Sequence, residues 1–191
     1  MRKHLRFTAT FILALLTGLI LLSAAPSQAA SKADIDRDAR NALGKLLQDN
    51  VMARALSEKA RGILVFPDIV KGGFIIGGQY GDGALLKDGK TAGYFNSVAA
   101  SYGLQAGAQT FGYAMFFMTD SALAYLNKSE GWEIGVGPNI VIVDKETAAA
   151  FAQSTTSSTL HDDIYAFIFS QKGLMAGLGL QGSKITAINP K

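Results

Sequence analysis

The chain has 191 residues, 49% of them apolar and none of them cysteine, which excludes a disulfide framework and thiol chemistry. Its formal charge of +3 comes from 18 basic and 15 acidic residues. Three of the basic residues, Arg2, Lys3 and Arg6, precede an apolar run from Phe11 to Leu22. Taking those three from eighteen leaves 15 basic residues against 15 acidic ones, a balance that argues against a nucleic-acid surface.

The leader reads as an export signal: a basic start, an apolar core of about a dozen residues and a small-x-small site at Ser27-Gln28-Ala29. The core is short for a bilayer span, and no cysteine follows it to carry an acyl anchor. Residues 1–29 are therefore expected to be a signal peptide, with an uncleaved membrane anchor as the rival reading, and residues 30–191 a single domain, exported, periplasmic or envelope-associated, and soluble after cleavage.

Ser31-Lys32-Ala33-Asp34 has the form of a helix N-terminus. Ile35, Ala39, Ala42, Leu43, Leu46 and Leu47 follow at helical spacing. Asn50 is placed to cap a second helix through about Arg61, with Met52, Leu56 and Ala60 inward. Ile63 to Phe66 reads as a short strand stopped by Pro67. From Gly72 to about Phe117 the pattern is β, with Asp88-Gly89 as a hairpin turn and a strand from about Val98 to Phe117 bent near Gly103, Gly107 or Gly112. Thr119 or Asp120 is expected to cap a short helix through Asn127, and Trp132 to Val143 to be strand. Asp144 caps an Ala-rich segment to about Gln153, Ser154 to Thr159 is a polar loop, and Ile164–Ser170 with Leu174–Gln181 make a hairpin. Lys184 to Ile188 adds a last strand.

Helices first and strands after read as α+β. Nineteen of the 21 glycines lie between Gly62 and Gly182. Glycine in strand interiors marks close backbone approach or curvature. The expected architecture is N-terminal helices packed on a strongly curved, glycine-rich, mainly antiparallel sheet or small barrel. Gln79, Gln105, Gln109 and Gln181 lie in the glycine-rich strands and are expected to bond one another inside it, with a polar-throated pocket lined by them as the alternative.

Several motifs fail on mechanical grounds. Gly177 to Gly182 spells G-x-G-x-x-G, but no helix opens in it and no acidic residue follows. Asp34, Asp36 and Asp38 imitate a calcium loop, yet Ala39 replaces its turn glycine and Lys45 its bidentate glutamate. His161-Asp162-Asp163 offers too few ligands for zinc and reads as a polar approach to a strand. No metal, cofactor or catalytic residue is expected, and no nucleophile elbow is present. A basic group at the helix-to-strand junction, Arg54, Lys59, Arg61 and Lys71, suits phosphate head groups. Arg37 and Lys45 on the first helix complete the candidate lipid-binding set, although that helix is mixed in sign.

Four blocks occur in order: Arg61-Gly62-Ile63-Leu64-Val65-Phe66-Pro67, Lys71-Gly72-Gly73-Phe74, Tyr102-Gly103-Leu104-Gln105-Ala106-Gly107 and Ser170-Gln171-Lys172-Gly173-Leu174-Met175-Ala176-Gly177. Together they resemble the SYLF, or Ysc84-type, domain family from about Ala33 to Ile188. The resemblance implies a non-enzymatic domain that binds phosphoinositides and, in some eukaryotic members, actin filaments. In an exported, bacterial-looking chain without SH3 or FYVE modules, actin is not an expected partner. Anionic phospholipid, a membrane surface or another envelope amphiphile is. The alternative is a structural or stress-related envelope protein acting through protein contacts, including a homo-oligomer.

Overall fold

The computed structural model describes residues 30–128, 130–144, 147–148, 162–173 and 182–191, with the backbone alone at 74–76 and 101–106. The leader, the Ser154–Thr159 loop, His161 and Leu174–Gln181 lie outside the described residues. The elements run α1 (Lys32–Asp49), α2 (Val51–Ser57), β1 (Gly62–Lys87), β2 (Lys90–Phe117), α3 (Asp120–Leu123) with a 3-10 turn at Ala124–Asn127, β3 (Trp132–Glu133), β4 (Ile140–Val143), β5 (Ile164–Gly173) and β6 (Lys184–Ile188). The fold is α+β: the helices lead into a curled, mostly antiparallel sheet. No helix among the described residues is long and apolar enough to cross a membrane.

Side-chain caps set the helix starts. Ser31 Oγ accepts from the Asp34 N–H at 3.2 Å, and Asp34 Oδ2 accepts from the Ser31 hydroxyl at 2.7 Å. Asn50 ends α1 by donating its N–H to the Leu46 carbonyl, and begins α2 by accepting from the Ala53 N–H. Thr119 caps α3 in the same way through the Ala122 N–H. The second helix closes at Ser57, one turn before the expected Arg61. Lys59 and Ala60 donate to the Leu56 carbonyl as the chain turns toward β1.

The sheet is dominated by one hairpin. β1 has 26 residues and β2 has 28, paired from Gly62↔Phe117 to Lys87↔Lys90 around Asp88 and Gly89. Both turn residues have positive φ, 49° and 73°, the left-handed pair that a two-residue hairpin needs. Proline does not stop the strand at Pro67. The register shifts between Phe66 and Ile69, and at such a bulge the missing N–H breaks no ladder bond. A larger irregularity sets the single residue 74 against residues 104–106, between Gly103 and Gly107, where the sequence predicts a bend.

On the other side of β2, β5 pairs with residues 109–117 and β6 with residues 94–98. The outer strands β4 and β3 then join β5 and β6, with β4–β5 the parallel pair. The expected strand over Trp132–Val143 is split. A Gly135-Val136-Gly137-Pro138 turn, with φ of 106° and 102° at its glycines, separates β3 from β4. Asp144 does cap the start of its segment: Oδ1 accepts from the Thr147 N–H at 2.7 Å.

The curl brings β1 against itself. A Cβ on Gly83 would collide with the Val65 carbonyl oxygen and the Phe66 ring, and one on Gly81 with the Asp68 carbonyl and Ile69. Alternation then gives the strands two buried faces. Leu64, Phe66, Phe111, Tyr113, Met115 and Phe117 share the inner core with Trp132 and Ile164. Ile63, Val65, Ala114, Phe116, Tyr165 and Phe167 face outward and are covered by Ile35, Ala39, Leu46, Met52 and Leu56 of the helices.

Of the four glutamines, the side chains of Gln105 and Gln181 lie outside the described residues, and the other two have separate surroundings. Gln79 is buried and donates from Nε2 to Ser183 Oγ at 2.8 Å. Gln109 is buried too, and its Oε1 has no hydrogen-bond partner among the described residues. A Tyr113–Ser97 hydroxyl bond of 2.9 Å completes the described polar pairs inside the sheet.

Candidate functional site

Where α1, α2 and the hairpin turn meet they leave a cleft of about 340 Å3. Leu43 and Leu47, one helical turn apart on α1, form one wall, and Ile63 and Leu86 of the outer sheet face form the floor. Ser57, Glu58 and Ala60 close the α2 side, and Asp88 and Gly89 close the turn side. Gly44 also lines it.

A polar clamp fixes the cleft's turn side. The Arg40 guanidinium donates from Nη1 to the Gly89 carbonyl and from Nη2 to Thr91 Oγ1 at 3.0 Å. The Thr91 hydroxyl in turn donates to Asp36 Oδ1 at 2.8 Å. Asp36 and Arg40 are four residues apart on α1, so they lie on one helix face and grip the same turn.

The six candidate lipid-binding residues are not brought together as one group. Lys45, Lys59 and Arg61 are exposed, and each adjoins a cleft-lining residue in the chain. The Arg61 guanidinium lies 4.0 Å from Asp120, with both side chains largely in solvent, an arrangement worth little energetically. Arg54 donates to the Leu47 and Gln48 carbonyls at 3.0 and 3.1 Å, where its charge meets the negative end of α1. Arg37 pairs with Asp34 at 2.7 Å and Asp38 at 2.9 Å. The Ser31 hydroxyl, and then Arg37, hold the Asp34 carboxyl below its usual range, while Asp38 and Asp34 hold Arg37 above its own. Lys71 sits opposite Gln109, ten residues along β1 from Arg61, about 30 Å away along an extended strand. It lies part-way along β1 and outside the cleft lining.

Sequence reasoning missed three cations here: Arg40, which lines the cleft, and Lys87 and Lys90, which flank its turn in the chain. The stem of Lys87 comes against Gly62, which lines the cleft. The turn motif itself put Lys87 and Lys90 in view, whereas Arg40 meets a partner 49 positions away and carries no local signature. Arg40 is the basic residue of the lining and Glu58 and Asp88 are its acidic ones; with immediate chain neighbours counted, the basic residues number six against the same two acidic ones. A second hollow, lined by Ile134 to Ile142, holds no charged residue. The charged residue in a third is Lys128, whose amine lies over the Tyr125 ring at 3.8 Å.

The carboxylates beside His161 have structural partners. Asp163 accepts from the Thr119 hydroxyl at 3.2 Å and the Asn139 N–H at 3.3 Å, and Asp162 bonds with the Tyr165 hydroxyl. Among the described residues no cluster of three or more His, Cys, Asp or Glu is arranged to hold a metal.

Residues 98–189 match the family model Ysc84, described as a Las17-binding protein actin regulator. A Ysc84 (SYLF) domain is thus recognised at residues 98–189, just under half of the chain. No curated protein matches the chain. The Ysc84 match contains the two later sequence blocks, at Tyr102 and Ser170, and takes in most of β2 with β5 and β6. The cleft is built from residues 40–89, ahead of the matched region. The two are nonetheless one sheet, because β1, which supplies the floor, is zipped to β2 from the turn to Phe117.

Proposed function

We propose that this chain is a non-enzymatic domain that binds anionic phospholipid, or another anionic envelope amphiphile, through the basic rim of the α1–α2–hairpin cleft. One observation carries the reading: six basic residues against two acidic ones among those that line a hollow with an apolar floor or stand next to its lining in the chain. Each basic residue held near an anionic surface contributes about 1 kcal/mol. Lys45, Lys59 and Arg61 are the rim contacts, joined by Arg40, Lys87 and Lys90. Arg37, Arg54 and Lys71 contribute to the general field. The basic, apolar and small-x-small run of residues 2–29 supports export and a place in the envelope.

The test is sedimentation with vesicles, using protein purified from its own cells, whose first residue should be Ala30. Binding to vesicles containing phosphatidylglycerol, loss of binding with added salt, and loss in a Lys59→Glu/Arg61→Glu double variant are expected. Equal recovery with zwitterionic vesicles would overturn the reading. The words "Las17-binding" in the family description support a second reading, an envelope protein that works through protein contacts. Crosslinking that recovers a protein partner and no lipid would favour it.

A further inference from the structure

We infer that the α1–α2–hairpin cleft is a receptor for one hydrocarbon chain carrying an anionic head, and that Gly44 keeps its slot open. The inference extends the lipid reading from a surface contact to an inserted chain, and rests on that reading only for the class of ligand. Three observations converge on it.

First, Gly44 has no structural reason to be glycine. It lies inside the 18-residue α1, where glycine weakens a helix relative to alanine. Its φ is not in the left-handed region, and a Cβ built on it meets nothing within 4 Å. The glycines at positions 81, 83 and 112 are different, since a Cβ there would collide with backbone or a ring. At Gly44 the side chain is missing toward empty space that belongs to the cleft.

Second, the space suits a chain. Leu43, Leu47 and Ala60 are only half-buried along its walls, above a floor of Ile63 and Leu86. A volume of about 340 Å3 lies at the small end of the range for ligand sites. At roughly 30 Å3 for a water-sized group, it holds on the order of ten methylenes. Third, Arg40 lines the cleft with Glu58 and Asp88, and Lys45, Lys59, Arg61, Lys87 and Lys90 each stand next in the chain to a lining residue, a local excess of positive charge that favours an anionic head group.

The probe is dodecyl phosphate below its micelle concentration, followed by NMR on the full domain. Intermolecular NOEs from its methylenes to the methyls of Leu43, Leu47 and Leu86 are expected, with inorganic phosphate and dodecyl maltoside each binding at least tenfold more weakly. Gly44→Leu should fill the slot, keep or raise the melting temperature, and weaken dodecyl phosphate at least tenfold. Gly44→Ala is the milder variant, with a smaller loss of affinity and a melting temperature raised by a few degrees. Absence of the NOEs, or binding by Gly44→Leu within twofold of the parent, overturns the proposal. Equal binding of the maltoside overturns its anionic half, and equal binding of phosphate its hydrocarbon half. The two readings fail separately. Vesicle binding without the NOEs removes the receptor and leaves the surface contact, whereas the NOEs without vesicle binding do the reverse.

Discussion

Gly83 faces the carbonyl of Val65 and the ring of Phe66 across a gap with no room for a methyl group. Overpacking a site closed by backbone costs about 1–3 kcal/mol. Gly83→Ala should lower stability by that amount, read as a reduced urea midpoint, without moving the hairpin turn. The glycine run made the need for close approach legible, because repeated glycine in β patterns has few other uses. Which glycine answers which neighbour was not legible. Gly83 meets residues seventeen and eighteen positions earlier in its own strand, a contact that exists only after the sheet has curled. The same gap separates Arg54 as read from the sequence, a basic residue open to head groups, from Arg54 in the fold, bonded to two carbonyls at the end of α1.

At the scale of elements, α1 is tied to the sheet at both ends of its buried stripe. Ile35, Ala39 and Leu46 pack on the outer face, and Arg40 reaches the Gly89 carbonyl and Thr91. A hydrogen bond from a charged donor is worth about 1.5–3 kcal/mol, and the exposure of Arg40 brings that to the lower end or below. Arg40→Ala should cost about 1 kcal/mol. Amide exchange should accelerate in the first turns of α1 and at Thr91, and leave β5 unchanged. Helix starts were readable because their caps are local, and Ser31, Asn50 and Thr119 all act within three residues. Strand ends were not. Pro67 reads as a stop in any local window, and only the register with Phe111 and Tyr113 shows that the chain bulges there and continues.

For the whole molecule, alkali should be more damaging than its modest charge suggests. Burial, and then Asp82, pushes the Tyr80 phenol up to about 12, and burial raises Tyr113 well above the ordinary value near 10. A phenol whose folded pKa is raised contributes its full stability below pH 10 and loses it as pH climbs toward the folded value. Stability should therefore fall between about pH 10 and 12. Absorbance at 295 nm should show phenolate appearing late and with unfolding, and Tyr113→Phe should shallow the decline in urea midpoint over that window. The α+β class was legible because helical and alternating periods occupy separate parts of the chain. The cleft was not, since it joins residue 40 to residue 89. The two-residue turn at Asp88 and Gly89 has a consequence in time. Its neighbours close a loop of almost no length, whereas Gly62 and Phe117 at the far end are 55 positions apart, and loop entropy orders such contacts. Folding should run as a zipper from the turn outward. Leu86 is in place early, and Ile63, its companion on the cleft floor, arrives among the last.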